Sequence, residues 1–332
     1  TSDGITAIGK DALESCTTGN NTAVGANSLA AVTTGSQNTA VGQDALQANT
    51  GGYNTAVGAY ALIGNTTGGQ NTAIGYNTLE NNTTASYNTA VGSETLFTNT
   101  TGSNNVAVGQ AVMYQNTTGS QNTAMGNSAL NKNTTASYNS AFGNQALKLN
   151  TTGAYNTAIG FNSLEANTTG TSNVAVGANA LENNTTANNT TVVGKAAMYT
   201  ATDSDDCTAM GYAALYSTTG GYNTAFGFQA GYHATTGTGN VCLGYKAGQT
   251  VLTNSSNLLF IARSNTGAGN AATWIYGQAD GDLYQGNNTT TWSTTSDRRL
   301  KKNIVDSPKG LAEINQLRVA NFEYRTREEI DM

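Results

Sequence analysis

Charge is scarce in this sequence. Only 10% of its 332 residues are charged, and proline and histidine occur once each. No apolar run approaches the ~18 residues of a membrane-crossing helix, so membrane insertion is not expected. No signal peptide opens the chain. It starts at Thr1 and reads as a fragment whose N-terminal part lies elsewhere. The net charge is −6 and no basic patch precedes residue 298, which argues against nucleic-acid binding by the main body. The three cysteines, Cys16, Cys207 and Cys242, are odd in number and widely spaced, so neither a disulfide framework nor a zinc site is expected. No cofactor motif is present, and no paired carboxylates recur. The acidic cluster Asp203, Asp205 and Asp206 fits a solvated loop or a calcium-binding one. His233 reads as an ordinary surface residue.

What the chain has instead is a repeat. A unit N-T-A-V-G-x-x-A-L, followed by a Thr/Asn/Gly turn, recurs with its glycine at 9, 25, 42, 58, 75, 92, 109, 126, 143, 160, 177, 194, 211, 227 and 244. These are fifteen copies, 16 or 17 residues apart. The residue before each glycine is always apolar, as in Val24, Ile74, Met125, Phe142 and Leu243. The residue before that is Ala in thirteen copies. Side chains alternate between faces along a strand, so one face carries a large apolar group and the other a small one. A strand apolar on both faces calls for cover on both. One face is expected to pack inside a coil. The alanine-lined face is expected to meet a second copy of the chain.

Four residues after the glycine stands Leu or Met in thirteen copies, then Gly231 and Gly248 in the last two. The core is therefore expected to thin toward residue 248. Four residues before the glycine, twelve copies carry Asn, a pattern suited to an asparagine ladder between stacked coils. The glycine itself marks a bend or a close backbone approach. Cys207 and Cys242 sit at positions otherwise held by Asn and Ala and read as small fillers. The NTT tripeptides have the form of glycosylation acceptors, but they read as turn chemistry repeated in every coil. A 17-residue unit is too short for helix pairs and fits two short strands with two turns. The expected fold is all-β: a β-roll or β-solenoid of about fifteen coils, with two large apolar side chains buried per coil.

The repeat unit resembles that of trimeric autotransporter adhesin heads, where a similar Asn-x-Ala-apolar-Gly unit builds a left-handed β-roll in a homotrimer. The 16–17-residue spacing is slightly longer than that family's. The resemblance implies an intertwined or side-by-side homotrimer here.

Three segments follow: a shaft over 1–249, a β-rich neck over 250–295 containing the apolar runs LLFIAR (258–263) and TWIYG (273–277), and a final segment over 296–332. The last begins SDRRLKKNI, continues through GLAEINQLRVANFEYR, and resembles the start of the endosialidase-type intramolecular chaperone domain of phage tail spikes and fibres. In that family a Ser followed five residues later by a Lys forms a self-cleaving dyad. The resemblance assigns these roles to Ser296 and Lys301, with attack on the bond from Thr295. A serine hydroxyl needs a base, and a lysine serves when burial or nearby cations depress its pKa. Arg298, Arg299 and Lys302 are the cations at hand.

The expected function is a structural and adhesive viral fibre, made in the host cytoplasm, carried on the virion and matured by chaperone-assisted trimerisation. Its expected partners are itself, a host cell-surface glycan or protein receptor, and other virion proteins reached through the absent N-terminal part. No activity on an external substrate is expected. Tyrosines recur just before the Asn, at Tyr53, Tyr87, Tyr138, Tyr155 and Tyr222, and form a candidate surface-binding stripe or pack at coil corners. Two alternatives remain: a polysaccharide-degrading tail spike whose catalytic domain is missing, and a bacterial trimeric surface adhesin.

Overall fold

A computed structural model describes residues 4–17, 19–250, 252–263 and 273–285. These residues contain strands, turns and bends but no helix. Strand β1 (Thr6–Ile8) begins a ladder that passes through β2 (Thr22–Val24) and β3 (Thr39–Val41) to β15 (Val241–Leu243). Each strand is three residues long, comes from one repeat, and pairs in parallel with the strand of the next. The register never slips: Ala23 faces Ala40, and Val24 faces Val41. The fold is thus a parallel β-solenoid of about fifteen turns, as the repeat predicts.

The ladder then runs one coil further. The LLFIAR segment supplies β16 (Leu259–Ala262), which pairs in parallel with β15. The TWIYG segment supplies β17 (Thr273–Gly277), which pairs with β16 in the antiparallel sense, and β18 (Leu283–Gln285) completes a meander on β17. The change of direction ends the parallel stack.

Each coil contributes one strand, not the two expected. Its second wall is built from residues of alternating backbone sign. Asn27 and Leu29 have φ of 56° and 51°, and the same two positions repeat this in nearly every coil. The wall still bonds to its neighbours: the Asn27 N–H donates back to the carbonyl of Lys10, and the Leu29 N–H forward to that of Ala45. Alternation of φ turns the chain through a tight corner while keeping its peptide groups along the stack. That geometry satisfies the backbone without an extended strand.

The inside of the coil also differs from expectation. From β2 onward the strand alanines face inward and are buried, whereas the large residues beside the glycines face outward. The interior is too narrow for both walls to contribute large groups. Leu29, Leu46 and their equivalents reach across from the opposite wall and occupy the space, so the residue beneath the strand is small: alanine in most coils, with Val192 and Cys242 in two. Most coils bury one large apolar side chain rather than two, and Val32, Val112 and Val192 add a second in three coils.

Nor does the core thin at its end. Gly231 and Gly248 keep the left-handed backbone of the leucine position, with φ of 61° and 62°. A Cβ on Gly231 would lie 2.7 Å from Leu215 Cδ2, and one on Gly248 would lie 2.9 Å from both Cys242 Sγ and Leu252 Cδ1. The space of the missing leucines is taken by Leu215 and Cys242 at Gly231, and by Cys242 and Leu252 at Gly248.

The repeat glycine is required for two reasons at once. Gly25 has φ 138°, and a Cβ there would stand 2.4 Å from the carbonyl oxygen of Gly42. Coils stack closely only where no side chain intervenes.

Candidate functional site: buried ladders and an outward apolar stripe

The expected asparagine ladder is present. The N–H of Asn38 donates to Asn21 Oδ1 at 2.9 Å, and Asn21 Nδ2 donates to the Gly35 carbonyl at 2.9 Å. The pattern recurs through Asn105, whose Oδ1 accepts from the Asn122 N–H at 3.0 Å. Every one of these asparagines is buried, so each side chain replaces water for a backbone N–H of the next coil.

A second ladder was not anticipated. It uses the Asn of the NTT turns. Asn116 Nδ2 donates to Asn99 Oδ1 at 2.8 Å and to the Gly119 carbonyl at 2.9 Å. Asn133 and Asn150 continue it. The following threonines add a third row, as where Thr117 Oγ1 donates to the Thr134 carbonyl at 3.0 Å. In the NTT turns of this ladder the amide a glycan would need is buried and both its hydrogens are bonded. The sequence signal was available in the strict return of Asn seven residues after the glycine, at 49, 65, 82, 99, 116, 133, 150, 167 and 184.

Both ladders change character in the same place. Thr190 and Cys207 replace Asn in the first, and the Cys207 N–H reaches Thr190 Oγ1 at 3.4 Å. Ala201 and Thr218 occupy the second. Cys207 and Cys242 are free, buried thiols, in keeping with their role as fillers. Burial pushes the Cys207 thiol up to about 11 and the Cys242 thiol up to about 12. Asp205 Oδ1 accepts from the Asn188 N–H at 2.6 Å, so that carboxylate is engaged within the stack. Among the described residues no three His, Cys, Asp or Glu side chains gather as a metal site.

The outward surface of the ladder is the candidate interaction site. It presents two columns, the first and third residues of each strand. The third-residue column is apolar throughout, and Val57, Met125 and Ile159 are 36%, 48% and 42% exposed. The first-residue column is Thr, Ser or Val, so neither contains a charged group.

Aromatic side chains form further columns. Tyr53, Tyr87, Tyr138, Tyr155 and Tyr222 are all well exposed, between 49% and 67%. They share a position of positive φ, near 62°. Tyr138 and Tyr155 stack face to face at 4.9 Å, so each covers a face of the other. Sequence reasoning passed over two other columns. Tyr199, Tyr216 and Tyr232 stack in succession at 5.3 and 4.8 Å. Tyr212, Phe228 and Tyr245 stack at 5.1 and 5.3 Å. The signal for both was the recurrence of an aromatic at a fixed offset after the glycine.

Ser296 and Lys301 lie outside the described residues. Residues 296–331 match the family described as chaperone of endosialidase. No curated protein and no solved structure matches the chain. The likeness to a known family therefore rests on the C-terminal segment that follows the solenoid in sequence, and the SDRRLKKNI motif stands at its start.

Proposed function

We propose that this chain is the shaft of a virion attachment fibre, assembled as a homotrimer with the help of its C-terminal segment. The observation that carries this reading is the uncharged stripe on the outer face of the solenoid, in which an apolar column runs beside a column that is mostly threonine. A three-residue strand spans ~10 Å and fifteen coils at ~4.8 Å span ~70 Å, giving a strip of ~700 Å². A standard interface takes about 800 Å² from each partner. A strip of this size, with a regular period, suits another copy of itself. The interface of the proposed trimer is therefore the Val/Ile face and not the alanine face, which is already enclosed.

The match to the chaperone of endosialidase family supports the second half of the reading. In this proposal the segment from Ser296 holds three chains together while the coils form. Ser296, with Lys301 as base, then attacks the carbonyl carbon of Thr295. The amine of Ser296 leaves with a proton, and water releases the shaft. The exposed tyrosines Tyr53, Tyr87 and Tyr222 offer ring surface and hydroxyls to a host cell-surface glycan or protein. Tyr138 and Tyr155 offer mainly edges and hydroxyls, because their facing surfaces are spent on each other.

Light scattering and mass spectrometry test the proposal together. Three chains per particle and a product ending at Thr295, lost in Ser296→Ala, are expected. A monomeric shaft refutes the fibre reading. A chain that stays whole in both wild type and variant refutes the dyad.

A further inference from the structure

A regular stripe brings chains together but does not align them. If one chain slides along another by one coil, ~4.8 Å, Val24, Val41 and Val57 exchange places with residues like themselves. Most of the buried area survives the slide, so most of the stripe specifies register weakly. Alignment needs groups that do not repeat.

The last three repeats supply them. In β13 (Thr208–Met210), β14 (Thr224–Phe226) and β15 the outward residues become Met210, Phe226 and Leu243. Two residues further along the chain, no more than ~7 Å away, stand the stacked rings of Tyr212, Phe228 and Tyr245. All three rings are exposed. Earlier coils carry small, polar or charged residues in that column, such as Ala26, Gln43 and Ser93, apart from two isolated aromatics, Tyr76 and Phe161. A slide of one coil brings Tyr212 level with Lys195 of a neighbouring chain. It also sets Phe226 against Met210 or Leu243, which differ from it in shape.

Resting on the homotrimer reading above, we propose that this aromatic patch is the contact that fixes the axial register between chains. Its occupant is the same patch on a second copy. The patch continues the stripe, shares its period, and is the one run in the repeats where both columns are bulky in three successive coils. It also lies at the end of the shaft nearest in sequence to the segment from Ser296, so chains aligned there are aligned before the uniform coils meet. Met125 and Phe142 form a second bulky pair in the outward column, but Asn127 and Asn144 follow their glycines. That pair is the natural control.

The test uses two co-expressed chains, one carrying V57C and the other I74C, both with Cys16→Ser. Val57 and Ile74 are outward residues of adjacent coils. Oxidation followed by peptide mass spectrometry reads which coils lie side by side. The intact patch is expected to give one linkage pattern. The variant Y212S/F228S/Y245S, whose serines match Ser93 of an earlier coil, is expected to give added links displaced by one coil while remaining trimeric. M125V/F142V is expected to keep the single pattern. Displaced links in neither variant, in both, or only in M125V/F142V overturn the proposal. A monomeric wild type overturns the trimer reading instead. Circular dichroism confirms the fold of each variant. Phe228→Ala alone supplies a milder test, expected to show a smaller share of displaced links.

Discussion

Asn105→Ala probes the logic of the stack most directly. Three bonds depend on this side chain: Nδ2 donates to the Gly119 carbonyl at 2.9 Å, and Oδ1 accepts from the Asn122 N–H at 3.0 Å and from Asn122 Nδ2 at 3.2 Å. The Gly119 carbonyl keeps a second donor, Asn116 Nδ2 at 2.9 Å. The Asn122 N–H keeps none among the described contacts, and Asn122 is fully buried. An orphaned buried group costs ~1–3 kcal/mol, and the two other lost bonds add ~0.5–1.5 kcal/mol each. The sum is about 2–6 kcal/mol, concentrated at one junction because solenoid energetics are local. Amide exchange in the peptide spanning Asn122 is then expected to quicken roughly 30- to 20,000-fold, at ~1.4 kcal/mol per tenfold. Peptides several coils away should change little. Asn116→Ala makes the comparison, since it removes side-chain partners but strands no backbone N–H. Unaltered exchange at Asn122, or equal effects from the two variants, refutes the view that the first ladder exists to satisfy the backbone.

Leu147→Ala should cost ~2–5 kcal/mol by urea denaturation, because Leu147 is fully buried and the rigid stack cannot collapse around the hole. Gly160→Ala should strain the backbone by ~1–3 kcal/mol and push apart two coils, since φ is 138° and the new Cβ would lie 2.5 Å from the Gly177 carbonyl oxygen; loss of cooperative unfolding near that coil is the readout. Replacing Tyr138 and Tyr155 together by Ser should shift stability by no more than ~0.5–1.5 kcal/mol, the worth of an exposed ring pair. The buried thiols set a pH dependence. Their pKa values are raised from 9.0 to about 11 and about 12, so unfolding releases protons above pH 9. Stability should be unaffected by them below pH 9 and fall as pH rises through that window. Urea midpoints at pH 8 and pH 10.5 should differ less in Cys242→Ala than in wild type.

Much of this was legible in the sequence because a solenoid repeats its physics. The glycine register gave the number of coils, and twelve aligned asparagines gave the first ladder. The identical offset of Leu29, Leu46 and Leu62 marked the core column. The second ladder was hidden by familiarity, since NTT looks like turn composition until each Asn is seen to stack on the last. The motif at Ser296 was legible as a motif, and residues 296–331 match the chaperone of endosialidase family, but the geometry of its dyad lies outside the described residues.

Which strand face points inward was not legible. A period of two separates Ala40 from Val41 but does not say which belongs inside, and the usual rule that large apolar groups go to the core favours the wrong face. The choice depends on the far wall, where positive φ at Leu46 swings a leucine across a narrow coil and leaves room only for a small residue opposite. The sequence alone determined the period, the stacking and the polar ladders, because these are fixed by what recurs. The tertiary structure decided the interior width, and with it turned valine, isoleucine and phenylalanine outward, because space inside a coil is shared between two walls that no single repeat position describes.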